Sequence, residues 1–269
     1  CNPVYGYYDG VIYWQENVMS NLKVAVGSLL VLTAGIAQAN DTETSPVYEQ
    51  RCECVVSDDD AYRTFPVVIR DFRSSHPDFE NPNMGEDHDI VGPDLGPDRR
   101  PVYAPGEDGA TKTTNGKEYF DQWYRNVDGV NMAINKSLTM VNEGSGAGYT
   151  RWKYTSDSFF PIDGEGFGNE RNYHNYHFTL ETHLRFYYAP GDTFTFRGDD
   201  DLYLFINGKL AMEIGGIHNV IEKTLDLDSV ADELGIEPYN SYDFDLFFAE
   251  RHTVLSNFQF ETTMELECL

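Results

Sequence analysis

Basic residues are scarce in this chain of 269 residues. Its 19 Lys and Arg are outnumbered by 45 Asp and Glu, so the formal net charge is −26 at pH 7. A protein of this charge repels phosphate groups, which argues against nucleic acid and anionic membranes as partners. A solvated acidic surface accounts for most of the carboxylates. The composition suits a secreted protein that meets divalent cations.

The sequence also lacks a hydrophobic run long enough to span a bilayer, which argues against a transmembrane segment. Its most apolar stretch, residues 24–36, follows a short polar segment that begins at Met19. Ala37-Gln-Ala39, a small-x-small cleavage pattern, comes directly after it. This order is typical of a secretory signal peptide, which we predict at residues 19–39.

A signal peptide at this position leaves residues on both sides to be interpreted. We interpret residues 1–18 as upstream read-through from a start site placed too early, and the alternative is a genuine extension. The exported protein would then begin at Asn40. Residues 40–61 are polar and acidic and are predicted to form a leader into the folded domain at 62–269.

Cysteine is rare, and three of the four residues follow the predicted cleavage point. Cys52 and Cys54 would lie on one face of a strand, which is a poor geometry for bonding each other. Export to an oxidising compartment favours a disulfide, so we predict that Cys268 pairs with Cys52 or Cys54. A Cys-x-Cys metal site is the alternative.

Signals for helices are few, whereas signals for strands and turns are many. Aromatic residues make up 14% of the chain, and Gly, Asn and Asp are frequent, a combination that favours strands and turns. Short helices are predicted only near residues 115–124, with Asn115 as the cap, and near residues 228–235, with Asp228 or Ser229 as the cap and Gly235 as the stop. Residues 74–118 are dense in Pro, Gly and Asp and are predicted to be an ordered insertion or a long surface loop. The pattern predicts an all-β fold, an antiparallel β-sandwich with one or two short helices and long loops.

The most informative stretch is residues 194–209. A continuous apolar run from Tyr203 to Ile206 predicts a strand buried on both faces, and Asn207-Gly208 predicts a hairpin turn. Three consecutive aspartates precede this strand. They repel each other unless a positive charge lies among them, and no basic run adjoins them. A metal ion is the natural candidate.

Several motifs in this order resemble the fibro-slime family, a branch of the PA14 domain superfamily. The motifs lie at residues 65–72, 76–79, 159–164, 198–210, 215–218, 247–253 and 256–258. The resemblance implies an extracellular β-sandwich. It also implies a calcium ion held by two adjacent aspartates that are joined by a cis peptide, with sugar hydroxyls as further ligands.

This resemblance places the predicted calcium ligands in two segments of the chain. Asp199 and Asp200 match the adjacent pair of the family, and a cis peptide would direct both carboxylates to one side. The remaining ligands are expected from the loop that follows the strand ending near residue 250. Glu250, His252 and Asn257 are the candidates in that loop, and the resemblance does not decide among them.

Four further residues are candidates for contact with a ligand, and each has a structural alternative. Asp201 takes a place that relatives often give to glycine, so its role is open. Asn207 matches a common Asn or Asp position, where a turn role suffices. His218 follows two glycines and would contact a sugar or a backbone carbonyl. Arg251 would contact ligand or form an ion pair with Glu250 that holds the loop.

The leading functional prediction is a secreted, calcium-dependent carbohydrate-binding or adhesion module at the cell surface or in the extracellular matrix. Its partner would be an extracellular glycan or polysaccharide, and its cofactor Ca²⁺. One alternative is a structural subunit of an extracellular matrix or fibre. Another is an accessory module or enzyme acting on glycosides. We expect no enzymatic activity, because adjacent aspartates that share a metal are poorly suited to act as an acid–base pair.

Overall fold

The computed structural model describes residues 55–56, 61–107, 109–146 and 149–268. The predicted read-through segment 1–18, the signal peptide 19–39 and nearly all of the leader lie outside these residues, as do Cys52 and Cys54. The side chain of Cys268 also lies outside the description, so the disulfide stays a prediction. Within the described part of the chain, no helix is both long and apolar enough to cross a membrane.

The described residues form fourteen strands and two short helices. The first half contains β1 Val55–Val56, β2 Tyr62–Phe72, β3 Gly85–Glu86, α1 Lys117–Phe120, β4 Asn131–Gly146, β5 Tyr149–Ser156 and β6 Phe178–Tyr187. The second half contains β7 Thr193–Gly198, β8 Asp201–Ile206, β9 Lys209–Ile214, β10 Gly216–Ile217, β11 Ile221–Asp226, α2 Leu227–Leu234, β12 Ser241–Glu250, β13 Phe258–Thr262 and β14 Glu265–Cys268.

Twelve of these strands belong to one antiparallel sheet. Its order is β11-β7-β13-β5-β4-β2-β6-β12-β8-β9, with β1 added beside β2 and β14 beside β6. The edge strands β11 and β9 approach each other, so the sheet curls almost into a barrel around its core. A separate ladder joins β10 to β3. The predicted all-β antiparallel architecture is confirmed.

The core inside the sheet is rich in aromatic rings. Phe248 of β12 contacts the rings of Phe159, Phe196 and Phe258, with centroid separations of 6.1, 6.3 and 4.9 Å. All six residues of β8 are buried, as its apolar run predicts. All of β8 and the last seven residues of β12 are buried, so the start of β8 and the end of β12 lie in the interior.

Strand alternation gives β8 and β12 two different apolar neighbourhoods. Their main-core residues are Leu202, Leu204, Ile206, Phe244, Leu246 and Phe248. Their residues on the other face are Tyr203, Phe205, Phe247 and Ala249, which join a second apolar cluster. The two strands pair with Ala249 opposite Asp201. This register brings the start of β8 beside the end of β12.

The segment between β2 and β4, residues 73–130, supplies the rest of the second cluster. We call it the inserted segment. It contributes Ile90, Val91, Tyr103, Phe120, Trp123 and Tyr124 to that cluster. Of the two alternatives for residues 74–118, the ordered insertion is the one observed. It packs as a layer over β8 and β12 although it has little regular structure.

The N-terminal caps of the helices differ from the predicted ones, whereas the predicted stop at Gly235 is confirmed. Helix α2 is capped by the side chain of Asp226, which accepts a hydrogen bond from the N–H of Asp228, and it ends at Gly235 in a left-handed conformation. The sequence prediction named Asp228 or Ser229 as the cap and Gly235 as the stop. At α1, the predicted cap Asn115 instead binds Asp78, at 3.1 Å.

Candidate cation site

The aspartate triplet lies where β7 passes into β8. The peptide bond between Asp199 and Asp200 is trans, and cis peptides are absent from the described part of the chain. The cis peptide implied by the resemblance is therefore wrong for this structure. Asp200 instead adopts a left-handed conformation with φ 57°, which turns the chain between the two strands.

Asp199 is bound to the loop that follows β12. Its Oδ1 accepts a hydrogen bond from the backbone N–H of Asn257 at 2.6 Å, and its Oδ2 accepts one from Asn257 Nδ2 at 2.9 Å. A Cβ on the preceding Gly198 would lie 2.6 Å from the carbonyl oxygen of Asn257. The two segments are thus too close for any side chain at residue 198.

Asp200 is buried and is held by backbone donors. Its Oδ1 accepts from the N–H of His218 at 3.2 Å, and its Oδ2 accepts from the N–H of Arg251 at 2.8 Å. Burial, together with the negative charges of Asp201 and Asp199, raises the pKa of Asp200 to about 8 in spite of the lowering effect of Arg251. The charged form of this carboxylate is therefore disfavoured.

Glu250, the last residue of β12, is the most unusual group in the site. It is 1% exposed, and neither carboxylate oxygen has a hydrogen-bond partner among the described residues. The neighbouring hydroxyl of Ser256 donates its proton to the carbonyl oxygen of Phe159 instead. Burial and the charges of Asp200 and Asp199 raise the pKa of Glu250 well above its ordinary value, although the nearby Ser256 hydroxyl and the backbone N–H of His252 act in the opposite direction. A buried carboxylate in this state requires a proton or a cation.

Asp201 and Arg251 form an ion pair in the interior. Arg251 Nε donates to Asp201 Oδ2 at 2.5 Å, and both side chains are fully buried. Asp201 Oδ1 accepts from the hydroxyl of Tyr203 and the N–H of Gly216. Arg251 therefore pairs with Asp201 and not with Glu250. Arg251 and Asp201, both candidates for contact with a ligand, face each other and are buried away from solvent.

The other predicted site residues lie elsewhere. His252 Nδ1 is 2.9 Å from the carbonyl oxygen of Thr253, and its Nε2 is 3.6 Å from a carboxylate oxygen of Glu80. Asn207 lies in the turn after β8, at the end of that strand opposite Asp201, and has φ 53°. Its Nδ2 donates to the carbonyl oxygen of Leu234 at 3.0 Å. Asn207 therefore has the role in a turn that was its structural alternative.

Only one ring nitrogen of His218 makes the predicted contact with a backbone carbonyl, and the other, Nε2, is buried without a hydrogen-bond partner among the described residues. Its Nδ1 lies 2.9 Å from the carbonyl oxygen of Asn219. His218 lines a groove of about 420 Å³ together with Met84, Gly85 and Glu86. The groove lies beside the candidate site, because the N–H of His218 binds Asp200.

The structure thus brings together Asp199, Asp200, Glu250 and Asn257. In the part of the chain that the structure describes, no three Asp, Glu, His or Cys side chains converge as a ready set of metal ligands. The reason is visible at the aspartates, whose oxygens are turned towards N–H donors. The chemistry of the four side chains nevertheless fits calcium, which binds carboxylate and amide oxygens.

The sequence reasoning missed the partner of Arg251, although a signal for it exists. Alternation along β12 places Arg251 on the face of Phe247 and Ala249, which is opposite to the face of Glu250. Asp201 shares the face of Tyr203 by the same rule. Applied to the three aspartates, this alternation predicts that Asp201 lies on a different face from the candidate ligands.

Comparisons with known proteins find relatives of part of this chain. No family model matches it. Protein psiR and protein psiQ of Dictyostelium discoideum are each 38% identical over 209 residues, which is 72% of this chain and 20% of each relative. Protein psiC of the same organism is 35% identical over 208 residues, 72% of this chain and 39% of that relative. The chain therefore spans well under half the length of these relatives.

The solved structures found include PA14 domains. The PA14 sugar-binding domain of an RTX adhesin has a TM-score of 0.26 at 10% identity, covering 49% of this chain and 75% of that one. The PA14 domain of the MpAFP antifreeze protein has a TM-score of 0.29 at 10% identity, covering 73% and 80%. The epithelial adhesin 9 A domain of Candida glabrata, with beta-lactose bound, has a TM-score of 0.32 at 14% identity, covering 78% and 85%.

Proposed function

We propose that the chain is a calcium-dependent carbohydrate-binding or adhesion module of the fibro-slime type within the PA14 superfamily. It would act outside the cell, at the cell surface or in the extracellular matrix. One observation supports this proposal above the others. Glu250 is buried beside Asp199 and Asp200, and its carboxylate lacks a hydrogen-bond partner in the described residues.

The side chains that would hold the ion are Asp199, Asp200, Glu250 and Asn257. Three carboxylates bring three negative charges into a buried volume, and a divalent cation offsets most of that charge. The Asn257 amide donates its N–H group to Asp199, which leaves its oxygen free to face an ion. When bound, calcium supplies further coordination positions that neutral oxygen ligands such as sugar hydroxyls can take.

The charge of the protein favours neutral ligands over anionic ones. With a formal net charge of −26, long-range electrostatics does not assist the approach of an anionic polymer. A neutral glycan would gain its affinity from a few contacts at the ion. Such binding is weak for one site and is amplified when several copies act together on one surface.

Glycan-array binding of the full chain, with calcium and then with EDTA, tests this function. We expect binding to one group of neutral glycans in calcium and its loss in EDTA. Glu261→Gln is the matched control, because Glu261 lies on the polar face of β13, where Arg151 Nε is 3.2 Å from its carboxylate. This variant should bind as the parent does. Calcium binding without any glycan binding would favour a structural matrix protein, and glycan cleavage would contradict a binding module.

A further inference from the structure

The three aspartates lie at the start of β8, and the end of β12 carries Glu250 followed by Arg251. On β12, Glu250 follows the main-core residues Leu246 and Phe248 by alternation. The next residue, Arg251, follows Phe247 and Ala249 towards the second cluster. The Glu250 carboxylate and the Arg251 guanidinium therefore lie on opposite faces of the sheet.

The Arg251 side chain is bound on every side. Its Nη1 donates to the carbonyl oxygens of Asp78 at 3.1 Å and Thr113 at 2.8 Å, and its Nη2 donates to Thr113 Oγ1 at 3.2 Å. The guanidinium lies over the ring of Trp123, 4.7 Å from its centroid. With Asp201 on Nε, these contacts tie the end of β12 to three separate parts of the inserted segment.

The Arg251 backbone carries this restraint into the candidate cation site. Its N–H donates to Asp200 Oδ2 at 2.8 Å, and its carbonyl oxygen accepts from the N–H of Glu80 at 2.8 Å. A movement of the Arg251 side chain would therefore move both Asp200 and the neighbouring Glu250. The inserted segment thus contributes to the site without supplying one of the candidate ligands.

The charge of Arg251 would oppose a dication if it stood alone. Asp201 lies against it at 2.5 Å, so the pair as a whole is neutral. Because Asp201 neutralises it, the Arg251 guanidinium can anchor the end of β12 close to the calcium site without repelling the ion. This pairing also explains why the third aspartate of the triplet is not available as a ligand.

We propose that Arg251, neutralised by Asp201, is the positioning residue of the cation site, and that the inserted segment serves to hold it in place. The inference rests on the proposed calcium site. It assigns a function to the inserted segment and to the third aspartate. It also separates residues that bind the ion from residues that orient those ligands.

Calcium titration calorimetry of Asp201→Asn tests the inference, with Asp245→Asn as the matched control. Asp245 is also a buried carboxylate beside an arginine, with Arg99 Nη2 at 2.6 Å, and it lies on β12 on the same face as Arg251. We expect Asp201→Asn to weaken calcium binding by about tenfold or more, as changes to residues that orient metal ligands typically do. Asp245→Asn should lower the melting temperature in EDTA but keep the parent's calcium affinity.

Arg251→Lys keeps the test decisive if Asp201→Asn does not fold. Lysine retains the charge but loses the planar fork that reaches Asp201 and the two carbonyl oxygens. It should also weaken calcium binding by about tenfold. If both variants bind calcium as the parent does and only lose thermal stability, the positioning role is overturned while the calcium site stands. A parent that binds no calcium overturns the proposed function and this inference together.

Discussion

Glu250→Gln is expected to raise the melting temperature of the protein in EDTA and to abolish the further rise that calcium produces. A buried carboxylate without a hydrogen-bond donor destabilises the folded state, by about 1–3 kcal/mol or more for a charged group. The glutamine has nearly the same shape and removes the charge. It also removes an anionic ligand, so calcium no longer stabilises the folded state by binding to it.

Thermal denaturation followed by circular dichroism at about pH 8, where carboxylates are ordinarily charged, measures both effects. Glu261→Gln makes the same chemical change on the polar face of β13 and should leave both melting temperatures close to those of the parent. A lower melting temperature for Glu250→Gln in EDTA would mean that the Glu250 carboxylate stabilises the apo protein. The charge-repulsion account of the site would then fail.

The free energy of unfolding should depend on pH differently with and without calcium. The pKa of Asp200 is raised from 3.8 to about 8 and that of Glu250 well above its ordinary value. Between the ordinary and raised values, the folded protein binds more protons than the unfolded chain does. The free energy of unfolding in EDTA should therefore fall as pH rises from about 5 to about 8, by up to about 1.4 kcal/mol per pH unit for each proton.

Calcium replaces those protons, so it should flatten this fall or reverse it. Urea denaturation at several pH values, in EDTA and in calcium, measures the difference. Asp200→Asn should have a shallower pH dependence in EDTA, because it removes one of the two carboxylates of the site whose pKa is raised. His183 provides an internal reference, because its hydrogen bond to Asp245 and the negative charge of Glu181 raise its pKa in spite of burial. The stability that protonated His183 contributes is lost as pH rises. This part of the pH dependence should be the same in the parent and in Asp200→Asn. An identical pH profile for parent and Asp200→Asn would contradict the site.

The strands that carry the site could be predicted from local sequence. The apolar run of β8, the Asn207-Gly208 turn and the alternation along β12 each determine a strand and its faces. The acidic triplet at the start of β8 identified the location of the candidate site. These features are local, so a single sequence contains them.

The partners of the charged side chains could not be predicted in this way. Arg251 and Asp201 are 50 residues apart and meet only because β12 pairs with β8 in one register. Outside the short helix predicted near residues 115–124, the inserted segment has scattered apolar residues without helical or strand periodicity, so its packing over Tyr203 and Phe247 could not be predicted. The left-handed turn at Asp200 likewise depends on what surrounds it.

Calcium titration calorimetry of the full chain tests the central claim most directly. The parent, freed of metal with EDTA and dialysed, should bind one calcium ion per chain. A folded Asp199→Asn/Asp200→Asn variant should bind it about a hundredfold more weakly or worse, because two unit charges next to a dication are lost at an effective dielectric constant of about 20. Undiminished calcium affinity in that double variant, or no binding by the parent, would contradict the account.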